Sequence, residues 1–425
     1  MKKVFIDAEL LCDRRKLDTT RISKYLTRND YKIVNRPKKA DVILVCTCGF
    51  GNSMADISFK KIKKLNKYNG EVIVTGCLPD TDKKRFDHFF KGRSFSTKHI
   101  DEIEQHFPGD KVHFSEIEDS NYLWNNFNRD KIRDVIKLLF LKFNLTKRAY
   151  VGFFYQIFKN NLGENHLILH SYYGLNLPID DLYTIRIASG CWQNCAYCGI
   201  KKAIGDFKSK PIHICLNEFE NGLQKGYSNF FLTAEDTGCY GLDINSNFPD
   251  LLDKIINIAG NYKINIYALN PRWVVKYIEE LEKIVKKGKI KAVCIPVQSG
   301  NNRILKCMHR YSDIEKIKSA FIRLKKANPD LSLATHCIVG FPSETNQEFK
   351  ETLDFIKATH LDLGIIMLMS IKTDTEAEGI VPKISRNEIF KRMRSAQKYL
   401  RNAGYKAFII NDTLYFSNKR MRSIH

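Results

Sequence analysis

The stretch "YTIRIASGCWQNCAYCGIKKAIG", residues 183–205, decides how the rest of the chain is read. It opens as a strand, "YTIRIAS", and runs into a loop carrying Cys191, Cys195 and Cys198 in a C-x3-C-x2-C spacing. No fourth cysteine or histidine stands beside them. Zinc usually takes four ligands in paired C-x2-C units, often far apart in sequence. A cubane [4Fe–4S] cluster held by three thiolates leaves one iron open to a further ligand, and that is what three thiols on one loop suit. Three core cysteines crowded onto one loop is the plainer alternative.

Downstream, strands and helices alternate regularly. "NFFLTAED", "INIYALNP", "KAVCIPVQ", "LSLATHCIVG" and "LGIIMLMS" read as strands. "FPDLLDKIINIAG", "VVKYIEELEKIVKKG", "DIEKIKSAFIRLKKA" and "NQEFKETLDFIKAT" read as the helices between them. With "YTIRIAS" this makes six β/α units over residues 181–404, a partial (β/α)6 version of the eight-unit barrel. Chemistry in such barrels sits at the C-terminal ends of the strands. The cysteine loop and the polar phrases "LTAEDTGCYG", "IPVQSGNNRILKCMHR" and "CIVGFPSET" all fall at such ends.

Upstream, residues 1–104 alternate "KVFID", "YKIVN", "DVILVCTC" and "EVIVTGC" with helical stretches. This predicts a parallel sheet with helices packed on it, so the fold class is α/β throughout. Cys48 and Cys77 each end a predicted parallel strand, and neighbouring strand ends converge on one edge of such a sheet. Residues 105–180 read as an insert or bridging segment with a helix around Ile132, Val135, Ile136, Leu139 and Phe143. Residues 405–425 leave room for a hairpin and a short basic tail.

The chain has 425 residues, twelve cysteines and a formal net charge of +22. No run reaches the roughly 18 apolar residues of a membrane helix. "MKKVFIDAELL" is interrupted by Asp7 and Glu9 and reads as a first strand, not a signal peptide. A cytoplasmic location and reduced thiols are therefore expected. The charge points to a polyanionic partner or to a solvated lysine-rich surface. Residues 383–425 carry eleven Lys or Arg against two acids, net +9, and residues 125–160 carry eight against two, net +6.

The cysteine spacing on a β/α barrel resembles the radical S-adenosylmethionine (SAM) superfamily. "EDTGCYG", "IPVQSGNNRILKCMHR" and "CIVGFPSET", in that order, resemble its methylthiotransferase branch. "EDTGCYG" and "IKKAIG" look most like the enzymes acting on threonylcarbamoyladenosine in tRNA. The resemblance spans about residues 1–100 and 183–400. It implies two [4Fe–4S] clusters, SAM, an external one-electron reductant and a monomer. The open iron of the barrel cluster would hold SAM, and reductive cleavage would give a 5′-deoxyadenosyl radical able to take hydrogen from an unactivated C–H bond. The second cluster would lie on Cys12, Cys48 and Cys77. Cys46, which stands where the family has Asn, points to the same strand face as Cys48 and is the alternative ligand.

For SAM, the resemblance implies Glu235 and Asp236 at the methionine end, with a helix N-cap as the competing role for Asp236. Tyr197 would pack on the adenine, Asn270, Gln298 and Ser299 would contact ribose or carboxylate, and Val339 and Gly340 would let the fifth strand approach the adenine. Cys239 would line the pocket, and Cys215, Cys294, Cys307 and Cys337 read as small core residues. Two departures bear on substrate. The family's C-terminal β-barrel module is missing, and its "RPGT" reads "KTDT", Lys372–Thr375. A tRNA or other RNA is favoured by charge. A peptide or protein side chain is the alternative, and a non-enzymatic electron carrier or sensor is a third reading that the SAM-side phrases oppose.

Overall fold

Buried on both faces, a parallel strand reads as a continuous apolar run, and "VILVCT" is one. It forms β3 (Val42–Thr47), flanked in a four-stranded sheet by β1 (Lys3–Asp7), β2 (Lys32–Ile33) and β4 (Glu71–Gly76). The order is β2-β1-β3-β4 and every pairing is parallel. Parallel neighbours need crossovers, supplied here by α1 (Asp13–Arg28) and α2 (Asn52–Leu65). Val42, Leu44 and Cys46 face Ile22, Tyr25 and Leu26 of α1. Ile43 and Val45 face Phe59, Ile62 and Leu65 of α2. The computed structural model describes residues 1–8, 11–124, 182–410 and 412–418. They fall into two compact units, one within Met1–Ser171 with Lys202–Ile204, the other within Tyr172–Lys201 and Gly205–His425.

The segment after residue 104 does not leave the first unit at once. Phe107, Phe114 and Ile117 join the core under α1. The Tyr25 hydroxyl donates to the Phe107 carbonyl at 2.8 Å, and Arg21 donates to the carbonyls of Ile117 and Phe114 at 2.7 and 3.0 Å. Apolar side chains and these backbone acceptors draw the chain onto α1, so residues 105–124 belong to this core. The predicted helix around Ile132–Phe143 lies outside the described residues.

In the second unit, β5 (Tyr183–Arg186) leads into a tight two-stranded ladder, β6 (Ala188–Ser189) with β7 (Lys208–Ser209). β8 (Asn229–Thr233), β9 (Lys263–Ile266), β10 (Ile290–Cys294), β11 (Ser332–Val339) and β12 (Leu363–Leu368) then add to β5 in sequence order, all parallel. These are the six expected strands. The sheet goes further: β13 (Tyr405–Ile410) and β14 (Thr413–Asn418) form a hairpin, and β14 pairs antiparallel with β12. Most of the expected tail is therefore an extension that covers the edge of β12, which would otherwise present unpaired backbone groups. Leu414 and Phe416 bury against the same core as Tyr183, Phe230, Ile264, Val293 and Leu333. Among the described residues no helix is long and apolar enough to cross a membrane.

Candidate functional site

The cysteine loop is the connection between β6 and β7, pinned at its base by their ladder. Gly190 opens it with φ +68°, and a Cβ there would stand 2.1 Å from the Asp206 carbonyl oxygen. Only glycine suits both demands. Cys191, Cys195 and Cys198 are all partly exposed. They lie within one another's electrostatic reach: burial, then Asp236, pushes the Cys191 thiol up to about 12, with Cys195 and Cys198 adding to it. Burial followed by Cys195 raises Cys198. Such thiols bind metal by losing protons that a positive centre displaces.

Among the described residues no three Cys, His, Asp or Glu side chains are gathered as for a single metal ion. The donor set itself, three thiols on one loop, is of the kind that holds a [4Fe–4S] cubane. Cys239, buried in the turn after β8, donates its thiol to the Asp236 carbonyl at 3.0 Å. It lies in the field of Cys191 as well as that of Asp236.

Asp236 is the hub of this end of the sheet. Its carboxylate accepts from Gln193 Nε2 at 3.0 Å, Trp273 Nε1 at 2.9 Å and the backbone N–H groups of Gly238 and Asn270 at 3.1 and 3.4 Å. It caps the short turn Thr237–Cys239 and ties the cysteine loop to the ends of β8 and β9. Burial outweighs these donors and raises its pKa. A carboxylate so committed to protein donors fills the capping role that competed with a SAM contact.

Other positions expected at the cofactor also serve the fold. Asn270 caps the helix Pro271–Lys276, its Oδ1 accepting from the Arg272 N–H at 3.1 Å. Ser299 is fully buried, accepting from the Asn301 N–H at 3.2 Å and lying 3.4 Å from the Thr352 hydroxyl. Val339 is buried in the core beside Ile389, and packing within the protein already requires glycine at Gly340. Its φ is +83°, and a Cβ would stand 2.4 Å from Ile389 Cδ1 on the helix Arg386–Asn402.

Gln298 keeps the features of a ligand contact. It sits at the end of β10 with φ +75°, held by backbone bonds to His336 and Ile338 at 2.9 and 2.8 Å. Its Oε1 is buried with no protein partner. A non-glycine residue in that region together with an orphaned polar atom marks a functional position. Tyr197, inside the cysteine loop, packs on Ile304, Met308, Ile338 and Met369, and Glu235 is half-buried one residue before Asp236. Gln298 supplies an orphan acceptor, Tyr197 an aromatic ring and Glu235 a carboxylate, the group types that a zwitterionic, adenine-bearing cofactor calls for.

The β3–β4 register brings Cys48 and Cys77 side by side: Thr47 pairs with Gly76, and each cysteine is the next residue. The Cys77 N–H donates to the Thr47 carbonyl at 3.1 Å. Asp7 pairs with Val45, so β1 ends at the same edge, and Cys12 stands immediately before α1. Cys46 is different. It is buried beneath α1, 3.8 Å from the Thr19 hydroxyl, and burial pushes its thiol up to about 12.

A family model for the radical SAM superfamily matches residues 185–356, and one for the uncharacterized family UPF0004 matches residues 4–95. The chain carries a radical SAM domain. Over 416 residues it is 28% identical to a probable threonylcarbamoyladenosine tRNA methylthiotransferase of Pyrococcus horikoshii, covering 95% of this chain and 87% of that protein. At 28% identity it also matches the ribosomal protein uS12 methylthiotransferase RimO of Carboxydothermus hydrogenoformans, covering 93% of this chain and 82% of that protein. The radical SAM methyltransferase TsrM of Kitasatospora setae, solved with tryptophan and a SAM analogue, superposes with TM-score 0.57 at 12% identity, covering 89% and 75% of the two chains. That likeness shows the fold alone. The radical SAM domain begins in β5, carries the cysteine loop at its first strand end, and makes this chain an enzyme of the radical SAM type whose sequence relatives are methylthiotransferases.

Sequence reasoning missed one residue of this domain. Arg310 closes the quoted phrase "IPVQSGNNRILKCMHR", and its Nη1 lies 3.7 Å from Cys195 Sγ. Nothing in the pattern marks it, because its contact is made across 115 residues. The basic segment 125–160 and the tail cations Lys419, Arg420 and Arg422 lie outside the described residues.

Proposed function

We propose that this enzyme transfers a methylthio group to an unactivated C–H position of an adenosine-type base in tRNA. Cys191, Cys195 and Cys198 would hold one [4Fe–4S] cluster with an open iron, and Cys12, Cys48 and Cys77 a second, with Cys46 left in the core. When bound, the barrel cluster and SAM supply one-electron chemistry strong enough to break such a bond. The chain's own residues do the rest. The β6–β7 ladder and Asp236 fix the thiol loop, Gln298 offers its acceptor to the cofactor, Tyr197 offers a face to the adenine and Glu235 pairs with the ammonium group.

The observation that carries the choice of RNA is the outer face of the helix Arg386–Asn402. Lys391, Arg394, Lys398 and Arg401 are exposed there at spacings of three, four and three, one side of the helix. Their rise of about 5 Å per step lets successive cations meet successive phosphates of a polyanionic backbone. The inner face is anchored by Arg392 to Glu344 at 3.1 Å. A protein substrate is the second reading, favoured by the RimO relative's equal identity. Mass spectrometry of tRNA nucleosides and of ribosomal peptides, from cells with and without the gene, separates them. A methylthio mass gain on a nucleoside supports RNA, and one on a peptide with unchanged nucleosides replaces it.

A further inference from the structure

The turn after the helix Asn302–Cys307 grips the cysteine loop residue by residue. The Met308 carbonyl accepts from the Ala196 N–H at 3.2 Å. His309, held at φ +55°, donates Nδ1–H to the Asn194 carbonyl at 3.2 Å, while its Nε2 faces the Glu376 carboxylate at 3.1 Å. Arg310 reaches between them, with Nη1 3.7 Å from Cys195 Sγ and Nη2 donating to the Pro296 carbonyl at 2.5 Å. Three consecutive residues thus hold three consecutive positions, 194 to 196, of the loop that bears the thiols. Tyr197 completes the contact by packing on Ile304 and Met308.

Arg310 is more than a clamp. A guanidinium withdrawn from water needs acceptors, and the Arg310 Nε is buried without one. Its Nη1 faces a thiol sulfur, which is a weak acceptor. The same geometry becomes a charge-assisted N–H···S bond once the sulfur is a thiolate. Only the fork of arginine spans the Pro296 carbonyl and the sulfur together, since lysine carries one charged nitrogen.

We propose that Arg310 is a positioning residue that raises the reduction potential of the barrel cluster by donating to the Cys195 thiolate. This rests on the reading that Cys191, Cys195 and Cys198 hold that cluster. Hydrogen bonds to cluster sulfurs set its potential, and a buried cation favours the state with one more electron. The electron comes singly from an external low-potential reductant, and no proton or covalent bond changes at Arg310.

The test uses the full chain with Cys12, Cys48 and Cys77 replaced by alanine, so that one cluster remains. Its midpoint is measured by a mediated dithionite titration followed by electron paramagnetic resonance. The parent, Arg310→Gln and Arg310→Lys should each hold about four irons. At the parent's midpoint the reduced-to-oxidised ratio of the Gln variant should fall about tenfold, a shift of about 59 mV downward for a one-electron couple. The Lys variant should fall between, and it decides by its midpoint should the Gln variant lose iron. A Gln variant with full iron that titrates with the parent overturns the proposal, even if SAM affinity changes. Iron lost from both variants makes Arg310 a structural strut and overturns it too. A parent without a four-iron signal would instead refute the cluster reading itself.

Discussion

Replacing Asp236 separates a positioning role from a cofactor-binding one. In Asp236→Ala, two backbone N–H groups, of Gly238 and Asn270, and the side-chain donors of Gln193 and Trp273 lose their acceptor. An orphaned buried donor costs about 1–3 kcal/mol. The two backbone groups cannot turn away, so they alone cost about 2–6 kcal/mol, while Gln193 and Trp273 can recover part of their loss. Relief of the buried charge offsets some of this, because burial already raises the Asp236 pKa. A net loss of about 2–3 kcal/mol remains, lowering the unfolding midpoint by roughly 4–12 °C for a unit of this size. Asp236→Asn should fall between, since its amide nitrogen turns a donor toward one pair of N–H groups. The assay is thermal unfolding of the apo protein, followed by iron content after reconstitution. An unchanged midpoint with weakened SAM binding would refute the reasoning and restore Asp236 to the cofactor.

Changing Cys191, Cys195 and Cys198 to alanine should leave about four of eight irons, and so should changing Cys12, Cys48 and Cys77; full iron in the second variant would withdraw that site. The N-terminal variant should still form 5′-deoxyadenosine from reduced SAM but transfer no methylthio group, whereas the barrel variant does neither, as product chromatography would show. Glu344 is buried, and desolvation raises its carboxyl from 4.5 to about 7 despite Arg392. A native state that binds the proton more tightly is most favoured at low pH, so this group's contribution is present below about 4.5 and lost as pH rises through about 7. The loss is about 3 kcal/mol, and denaturant unfolding of Glu344→Gln should lack that slope; identical pH profiles would count against it. Replacing Lys391, Arg394 and Lys398 with alanine should flatten the salt dependence of RNA binding by about 2–3 in log–log slope, at roughly 0.7–0.9 per phosphate contact; an unaltered slope moves the RNA elsewhere.

The strands and the parallel character of both sheets were legible because they follow a periodic physical signal, whereas the order β2-β1-β3-β4 and the antiparallel pairing of β14 with β12 were not. Apolar runs such as "VILVCT" and "LSLATHCIVG" alternate with helical spacings, and a parallel sheet covered by helices is then the economical solution. The gathering of three thiols at residues 191–198 was legible for a related reason: the three lie within one loop. Cys48 and Cys77 were legible as strand ends, and the register Thr47 to Gly76 then makes them neighbours.

What the sequence did not determine is which polar side chains at strand ends face a ligand and which serve the fold. Asp236, Asn270 and Ser299 look alike in sequence to Gln298, yet three accept from protein donors and one keeps a buried acceptor unmet. Saturation depends on groups brought together from distant segments, Gln193 and Trp273 for Asp236, and no local pattern encodes that. Gly340 shows the same limit, since its need for glycine comes from Ile389 on a helix that begins 46 residues later, at Arg386. Arg310 is the opposite case: an ordinary basic residue in the sequence, it meets Cys195 only once the end of β10 and the cysteine loop share one edge of the sheet. Composition and periodicity set where the backbone goes; hydrogen-bond partners and desolvation, which exist only after it has gone there, decide what each side chain is able to do.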